Sequence, residues 1–373
     1  MIYLDYNAST PVDPAVREAM LPFLGDQFGN PSSSHNKGRP LRQAIDHARQ
    51  QLADLVGAAP EDIVFTASGT EANNHVIKGV ADALRGRGHH IIVSSVEHPA
   101  VVNPCFYLEQ RGFEITRVPV DSTGQVDPQS VIDEVRSDTI LISIMHANNE
   151  VGTIQPIAEI ADAAREAGIW MHTDAAQSCG KIDTDVQKLG VDFLSIAGHK
   201  LYAPQGVGAL YLCRGIKMEP LLHGAGHESG RRAGTEATAM IVGLGKAAEL
   251  AQRHLGDSRT RALRDRLHAG IARAFGEGAV LLGHPERRLP NTLAMGFRHR
   301  IGADILAACP DICASTGAAC HAEQRKRSAV LDAMNVPEEI AYGAIRFSVG
   351  RFTTETEVDA AISQLARLIR QSG

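Results

Sequence analysis

Cysteine is scarce in this chain, with 6 residues in 373, and that scarcity excludes a small domain stapled by disulfides. No apolar run reaches the roughly 18 residues that a membrane-spanning helix needs. The amino terminus, Met1-Ile2-Tyr3-Leu4-Asp5, lacks the basic stretch followed by an apolar stretch of an export signal. Positive charge is not in excess either. A net charge of −6 and a pI near 6.2 argue against a general nucleic-acid binder. The short basic clusters Arg85-Gly86-Arg87, Arg231-Arg232, Arg287-Arg288 and Arg325-Lys326-Arg327 carry no interleaved aromatics and read as solvated faces. Internal repeats and low-complexity stretches are absent. These absences lead to the expectation of a soluble cytoplasmic enzyme.

The chain does have enough apolar material for a large core, 44% of 373 residues, and its length suits a large domain with a smaller companion. β-rich runs alternate with amphipathic helical segments, which predicts an α/β fold around a mainly parallel sheet. The expected strands are Ile63–Phe65, His90–Ser94, Ile115–Val118, Ile140–Met145, Trp170–Thr173, Phe193–Ile196 and Gly208–Leu212. The expected helices are Pro40–Leu55, Ala72–Leu84, Pro99–Gln110, Gln129–Val135 and Ile157–Ala167, and another begins near Met240. In the fifth, Ile157, Ile160, Ala161 and Ala164 trace one apolar face. Near Gly256 the pattern changes to a long charged helix and then shorter strands, and a domain boundary is placed there.

Two segments carry chemistry. Lys200, in Gly198-His199-Lys200, follows the strand-like run that ends at Asp174. An aldehyde cofactor such as pyridoxal phosphate needs one lysine for an imine and one buried carboxylate for its ring nitrogen. A lysine after a loop glycine is otherwise an ordinary surface group. The second segment is Thr66-Ala67-Ser68-Gly69-Thr70-Glu71, where a strand meets a helix. Small residues there let backbone N–H groups approach an anion at a helix start, with the Ser68 and Thr70 hydroxyls as further donors. A plain helix cap, Ser68 or Thr70 with Glu71, is the compatible alternative.

With these segments in view, the chain resembles the cysteine desulfurase and selenocysteine lyase family, in the class V aminotransferase group of fold-type I pyridoxal-phosphate enzymes. The resemblance covers nearly the whole chain. Its motifs run from Tyr3-Leu4-Asp5-Tyr6-Asn7-Ala8-Ser9-Thr10-Pro11 through Gly29-Asn30-Pro31-Ser32-Ser33, Glu97-His98-Pro99-Ala100 and Asn148-Asn149-Glu150-Val151-Gly152. They continue through Thr173-Asp174-Ala175-Ala176-Gln177, Arg231-Arg232-Ala233-Gly234-Thr235-Glu236, Gly317-Ala318-Ala319-Cys320 and Ile345-Arg346-Phe347-Ser348. It implies a large cofactor domain with a mainly parallel seven-stranded sheet, residues 13–255, and a smaller α+β domain. The smaller domain would comprise residues 1–12 and 256–373.

The resemblance also implies the residue roles. Lys200 would form the Schiff base and move the substrate proton, and His98 would stack on the cofactor ring as an acid–base partner. Asp174 would pair with the ring nitrogen and Gln177 with the ring oxygen, with Asn149 on the substrate and cofactor side. Gly69, Thr70 and His199 would hold the phosphate, and Thr235 would reach it from the second subunit of a homodimer. Arg346, assisted by Asn30, would clamp the substrate carboxylate. Cys320 would attack the substrate sulfur, become a persulfide and leave L-alanine, its thiol helped to ionise by His321 or by Arg325-Lys326-Arg327. A sulfur-acceptor protein is a possible partner; no metal, nucleic acid or membrane is expected.

Several departures bear on the branch. The position before Gly198 is Ala197, where housekeeping desulfurases often carry a phosphate-binding serine. His321 after the cysteine and Arg287-Arg288-Leu289-Pro290-Asn291-Thr292 are more similar to selenocysteine lyases. The end at Gly373, without the extension that docks an iron–sulfur scaffold protein, leads to the expectation of no dedicated iron–sulfur assembly role. L-cysteine is the expected substrate, with L-selenocysteine as the alternative and a modified cysteine or cystine as a third. From other classes, a silent binding subunit and a metal or iron–sulfur module built on Cys309, Cys313, Cys320 and His321 compete. In the metal module only the first gap fits the usual ligand spacing. Cys105, Cys179 and Cys213 read as small core residues.

Overall fold

The computed structural model describes residues 1–316 and 327–370. Its centre is a seven-stranded sheet in the order Ile63–Thr66, Gly208–Leu212, Phe193–Ala197, Trp170–Asp174, Thr139–Ser143, His90–Ser94, Glu114–Val118. Gly208–Leu212 runs antiparallel to both its neighbours, and all other pairings are parallel. The expected α/β architecture is therefore present, with every expected strand in it. The sheet is covered on both faces, as parallel sheets require. Alternation along the strands assigns the residues: Ile63, Phe65, Ile92, Leu194 and Ile196 join one apolar cluster, whereas Val64, Ile91, Val93 and Phe193 join the other.

On the first face, the helix Arg39–Val56 packs against Thr238–His254. Contact is close because Gly245 has no side chain: a Cβ there would lie 2.5 Å from Ala48 Cα. The second face is covered by Gly69–Ala83 and Pro99–Glu109. Helix limits differ from the sequence reading at the functional end. Gly69–Ala83 starts three residues before the expected Ala72, because Ser68 itself takes the N-cap and accepts from the Glu71 N–H at 3.1 Å. The strand expected to reach Met145 ends at Ser143, and Met145 turns its N–H to the Glu97 carboxyl at 2.9 Å. A further helix, Pro14–Leu24, is capped by Asp13 and carries proline in its first turn.

A third apolar cluster gathers Ile2, Leu4, Leu267, Phe297, Phe347 and Val358. It lies between the antiparallel sheet Ala279–Leu282, Thr292–Phe297, Ala344–Ser348 and the helices Ser258–Phe275 and Glu355–Arg370. The N-terminal strand Ile2–Tyr3 pairs in parallel with Ile312–Cys313, so the first residues join this C-terminal layer. Cys105, Cys179 and Cys309 are buried, and Cys213, half-buried just past a strand end, packs against the margin of the first cluster. Among the described residues no helix is long and apolar enough to cross a membrane, and no three His, Cys, Asp or Glu side chains cluster as a metal site would. Cys320, His321, Arg325 and Lys326 lie outside the described residues.

Phe347 is fully buried in this third cluster. Phe347→Ala is expected to cost about 3–5 kcal/mol, read as an earlier unfolding transition in urea.

Candidate active site

The carboxyl ends of the parallel strands converge on one cavity of about 340 Å³, the usual ligand position in an open α/β sheet. Asp174 closes the strand Trp170–Asp174, and Lys200 ends the single 3-10 turn that follows Phe193–Ala197. His98 follows His90–Ser94, Asn149 follows Thr139–Ser143, and Ser68 and Gly69 follow Ile63–Thr66. The C-terminal layer contributes Arg346 from Ala344–Ser348. Cavity-lining residues thus include Lys200, Asp174, His98, Gly69, Thr70, Asn149, Gln177, His199 and Arg346 from the sequence reading.

The turn between Ile63–Thr66 and its helix is shaped for an anion. Gly69 and Thr70 begin the helix, so their N–H groups have no acceptor within it. Glu71 returns its carboxylate to the Ala67 N–H at 2.9 Å and receives Arg232 at 2.8 Å, which holds the turn from outside the cavity. Ala197 packs beneath it: a Cβ on Gly69 would come within 3.1 Å of the Ala197 Cβ. Gly208 is equally constrained, since its Cβ would stand 2.7 Å from the Ser68 carbonyl carbon. His199 offers a buried Nδ1 with no hydrogen-bond partner among the described residues.

Asp174 accepts from Asn73 Nδ2 at 2.7 Å and from the Ala176 N–H at 2.9 Å, two fixed donors that orient its carboxylate. His98 keeps an open surface but caps its helix, its Nδ1 accepting from the Ala100 N–H at 3.1 Å. That bond puts a neutral ring's proton on Nε2. Loss of water around the ring pushes the His98 pKa down, with Asp174 opposing and Lys200 adding to the effect.

Lys200 is held by the carbonyls of Asn7 and Ala8, the latter at 2.7 Å. The turn that carries it is pinned by Thr10, whose N–H and hydroxyl both donate to the His199 carbonyl, at 2.9 and 3.0 Å. Burial, with Arg346 adding to it and Asp5 and Asp174 opposing, brings the Lys200 ammonium down from 10.5 to about 8. Arg346 is buried, donates to Asp5 at 2.8 Å and to the Asn149 carbonyl at 3.0 Å, and keeps a buried Nε with no partner among the described residues.

Two expected residues lie elsewhere. Asn30 is exposed, and its side chain accepts from the Ser32 N–H at 2.8 Å, outside the cavity. Thr235 is also exposed and lines a separate hollow of about 160 Å³ with Arg232 and Glu236. The sequence reading missed Asn7, Asn73 and Lys181. Asn7 is buried, and its carbonyl receives both Lys200 and Gln177 Nε2, the second at 2.9 Å. Its place inside a matching N-terminal motif was the available signal.

Residues 2–361 match the aminotransferase class-V family. The chain belongs to that family. It is 48% identical over 374 residues to cysteine desulfurase IscS of Dictyoglomus turgidum, covering 99% of this chain and 95% of that relative. Among solved structures it is similar to a NifS-like protein, with a TM-score of 0.93, 36% identity and 99% of each chain covered. A structure described as SspA in complex with cysteine is 37% identical, with a TM-score of 0.84 over 95% of this chain and all of that one.

Competitive labelling of amines, read by peptide mass spectrometry, is expected to titrate Lys200 near pH 8. Asp5 raises that value, so Asp5→Asn is expected to lower the midpoint; an unchanged or higher midpoint contradicts the assignment.

Proposed function

We propose that this family member is a pyridoxal-phosphate-dependent cysteine desulfurase that transfers the sulfur of L-cysteine to Cys320 and releases L-alanine. The observation that carries the reading is the meeting, in one cavity, of Lys200, Asp174 and Arg346 with the anion-shaped turn at Ser68-Gly69-Thr70. The cofactor's needs fit these residues: a Cβ-free cradle at Gly69, the orphaned His199 Nδ1, an oriented carboxylate and a lysine poised to lose its proton. When bound, pyridoxal phosphate supplies an aldehyde for amines and a ring that draws electron density from the substrate Cα.

The chain's own residues do the rest. The first-turn N–H groups of Gly69 and Thr70, with His199, hold the phosphate, and Asp174 takes the ring nitrogen. Gln177 is assigned to the ring oxygen and His98 to the ring face. Lys200 would hold the cofactor through its aldehyde, and its Nζ would move the substrate Cα proton. Arg346 receives the substrate carboxylate by exchanging Asp5 for it, and the planar guanidinium favours two parallel bonds. Cys320 takes the substrate sulfur as a persulfide: an S–S bond forms, and the electrons of the C–S bond stay with the three-carbon fragment. That fragment gains a proton and leaves as alanine. This role rests on the match of Gly317-Ala318-Ala319-Cys320.

Sequence likeness to a protein named cysteine desulfurase supports cysteine over selenocysteine. The remaining features are part of the same proposal: a cytoplasmic homodimer in which Thr235 completes the partner's site, Asn30 assisting with substrate, and a thiol acceptor for the sulfur. The domain division is proposed at residues 13–255 against 1–12 with 256–373, and is supported by the pairing of Ile2–Tyr3 with Ile312–Cys313.

The test is alanine formation from L-cysteine and L-selenocysteine in parallel, with pyridoxal phosphate and a reductant. Cysteine turnover equal or superior is expected; strong preference for selenocysteine, or no alanine, overturns the reading. Cys320→Ala should abolish alanine from cysteine and retain cofactor absorbance, whereas Lys200→Ala should stop all turnover. Arg346→Ala is expected to lower kcat/KM for cysteine about 10- to 100-fold, the loss of a charge-assisted bond worth about 1.5–3 kcal/mol, with the cofactor still bound.

A further inference from the structure

Lys181 is a half-buried cation that the proposed chemistry leaves unused. It follows Gly180, whose φ of +74° and crowded surroundings admit only glycine: a Cβ there would lie 2.1 Å from Leu201 Cδ1 and 2.9 Å from Ala251 Cβ. This tight turn sends Lys181 inward beneath the cavity. Its Nζ donates to Gln177 Oε1 at 2.8 Å and to Asn7 Oδ1 at 3.5 Å. Gln177 Nε2 in turn donates to the Asn7 carbonyl at 2.9 Å, the same oxygen that receives Lys200. Lys181 and Lys200 also border one small hollow of about 60 Å³ behind the site.

We propose that Lys181 is a positioning residue: bound to Gln177 and Asn7, it fixes the amide that faces the cofactor and sets the charge next to the Lys200 amine. The proposal rests on the desulfurase reading, in which Lys200 and Gln177 meet the cofactor. An amide cannot choose between its two ends by shape, and an ammonium accepts nothing, so Lys181 forces the oxygen of Gln177 toward itself and the NH2 toward Asn7. A second cation beside a nucleophilic lysine also favours that lysine's neutral form.

The surroundings of Lys181 are cationic. Lys200, Arg346 and His199 act on it or are acted on by it, and Cys179 on its own turn opposes them weakly. Tyr6, Tyr202, His254, Asp257 and Arg351 border the hollow behind. Burial, then Lys200, then Arg346 push the Lys181 ammonium down to about 7. Lys200 itself faces Arg346, Asp5 and Asp174.

The experiment compares Lys181→Met and Lys181→Arg with the unaltered protein, loaded with pyridoxal phosphate and without substrate. The pH midpoint of the bound cofactor's visible absorbance is the readout. Removing the cation is expected to raise that midpoint by at least about 0.5 pH unit, a threefold change in proton affinity, and arginine is expected to restore it. An unchanged midpoint in Lys181→Met, with cofactor content and circular dichroism preserved, overturns the proposal. Where methionine prevents folding, Lys181→Arg and Gln177→Leu carry the test. A Gln177→Leu variant that titrates like the unaltered protein also overturns it. Competitive amine labelling of Lys181 in cofactor-free full-length protein separates the two readings. A Lys181 midpoint raised by Lys200→Ala supports the charge coupling even in a protein that makes no alanine; a midpoint that stays put rejects it even in an active desulfurase.

Discussion

Every polar atom of Asn7 is engaged, and the site depends on that saturation. Its N–H donates to Ser348 Oγ at 2.9 Å, and its Nδ2 to Thr292 Oγ1 at 2.8 Å and the Asn149 carbonyl at 3.1 Å. Its Oδ1 accepts from Asn291 at 2.8 Å and from Lys181, and its carbonyl from Gln177 and Lys200. Thr292 and Ser348 are register partners in the antiparallel sheet, which puts two hydroxyls side by side for this one residue. A buried amide left short of partners is costly, so the N-terminal segment, the large sheet and the C-terminal sheet are held in one relative placement. Lys200 arrives on one of these bodies and Arg346 on another. Their separation across the cavity is thus a property of the Asn7 network more than of either local motif.

Charge is the second constraint. Lys181, Lys200 and Arg346 crowd a small volume against the carboxylates of Asp5 and Asp174. The nearby Glu97 adds no negative charge at neutral pH, because burial pushes its carboxyl up to about 8 against the hydrogen bonds from Ser94 and Met145. An excess of cations suits a ligand with a phosphate and a substrate with a carboxylate. The same excess adds to burial in depressing the ammonium groups, so one arrangement both suits anions and holds an amine closer to its neutral form. Asp5 tempers it by holding the guanidinium of Arg346 in place at 2.8 Å until a carboxylate competes.

Much of this architecture was legible in the chain. The seven expected strands all occur, their β-rich runs being short and most of them followed by a helical segment. The anion-shaped turn and its cap were both readable at Ser68-Gly69-Thr70-Glu71, and both are present. Element ends were less legible. Whether a strand stops at Ser143 or Met145 is decided by Glu97, a residue 48 positions away from Met145 that captures its N–H. Lys181 carried a weak local signal, four residues after Gln177. Nothing in its own segment says that Gly180 turns it inward against Leu201 and Ala251.

The order of strands and helices along the chain, the turn at Ser68-Gly69-Thr70 and the candidacy of Lys200 and Asp174 come from residue patterns, which are local properties, and the candidacy of His98 and Arg346 from the family resemblance of their motifs. Only the tertiary structure decided which of these groups meet, and it added Asn7 and Lys181 to them. Asp5 and Arg346 are 341 residues apart and Asn7 and Gln177 are 170 apart. Such contacts follow from sheet register and the docking of one layer on another, and no pattern along the chain encodes that geometry.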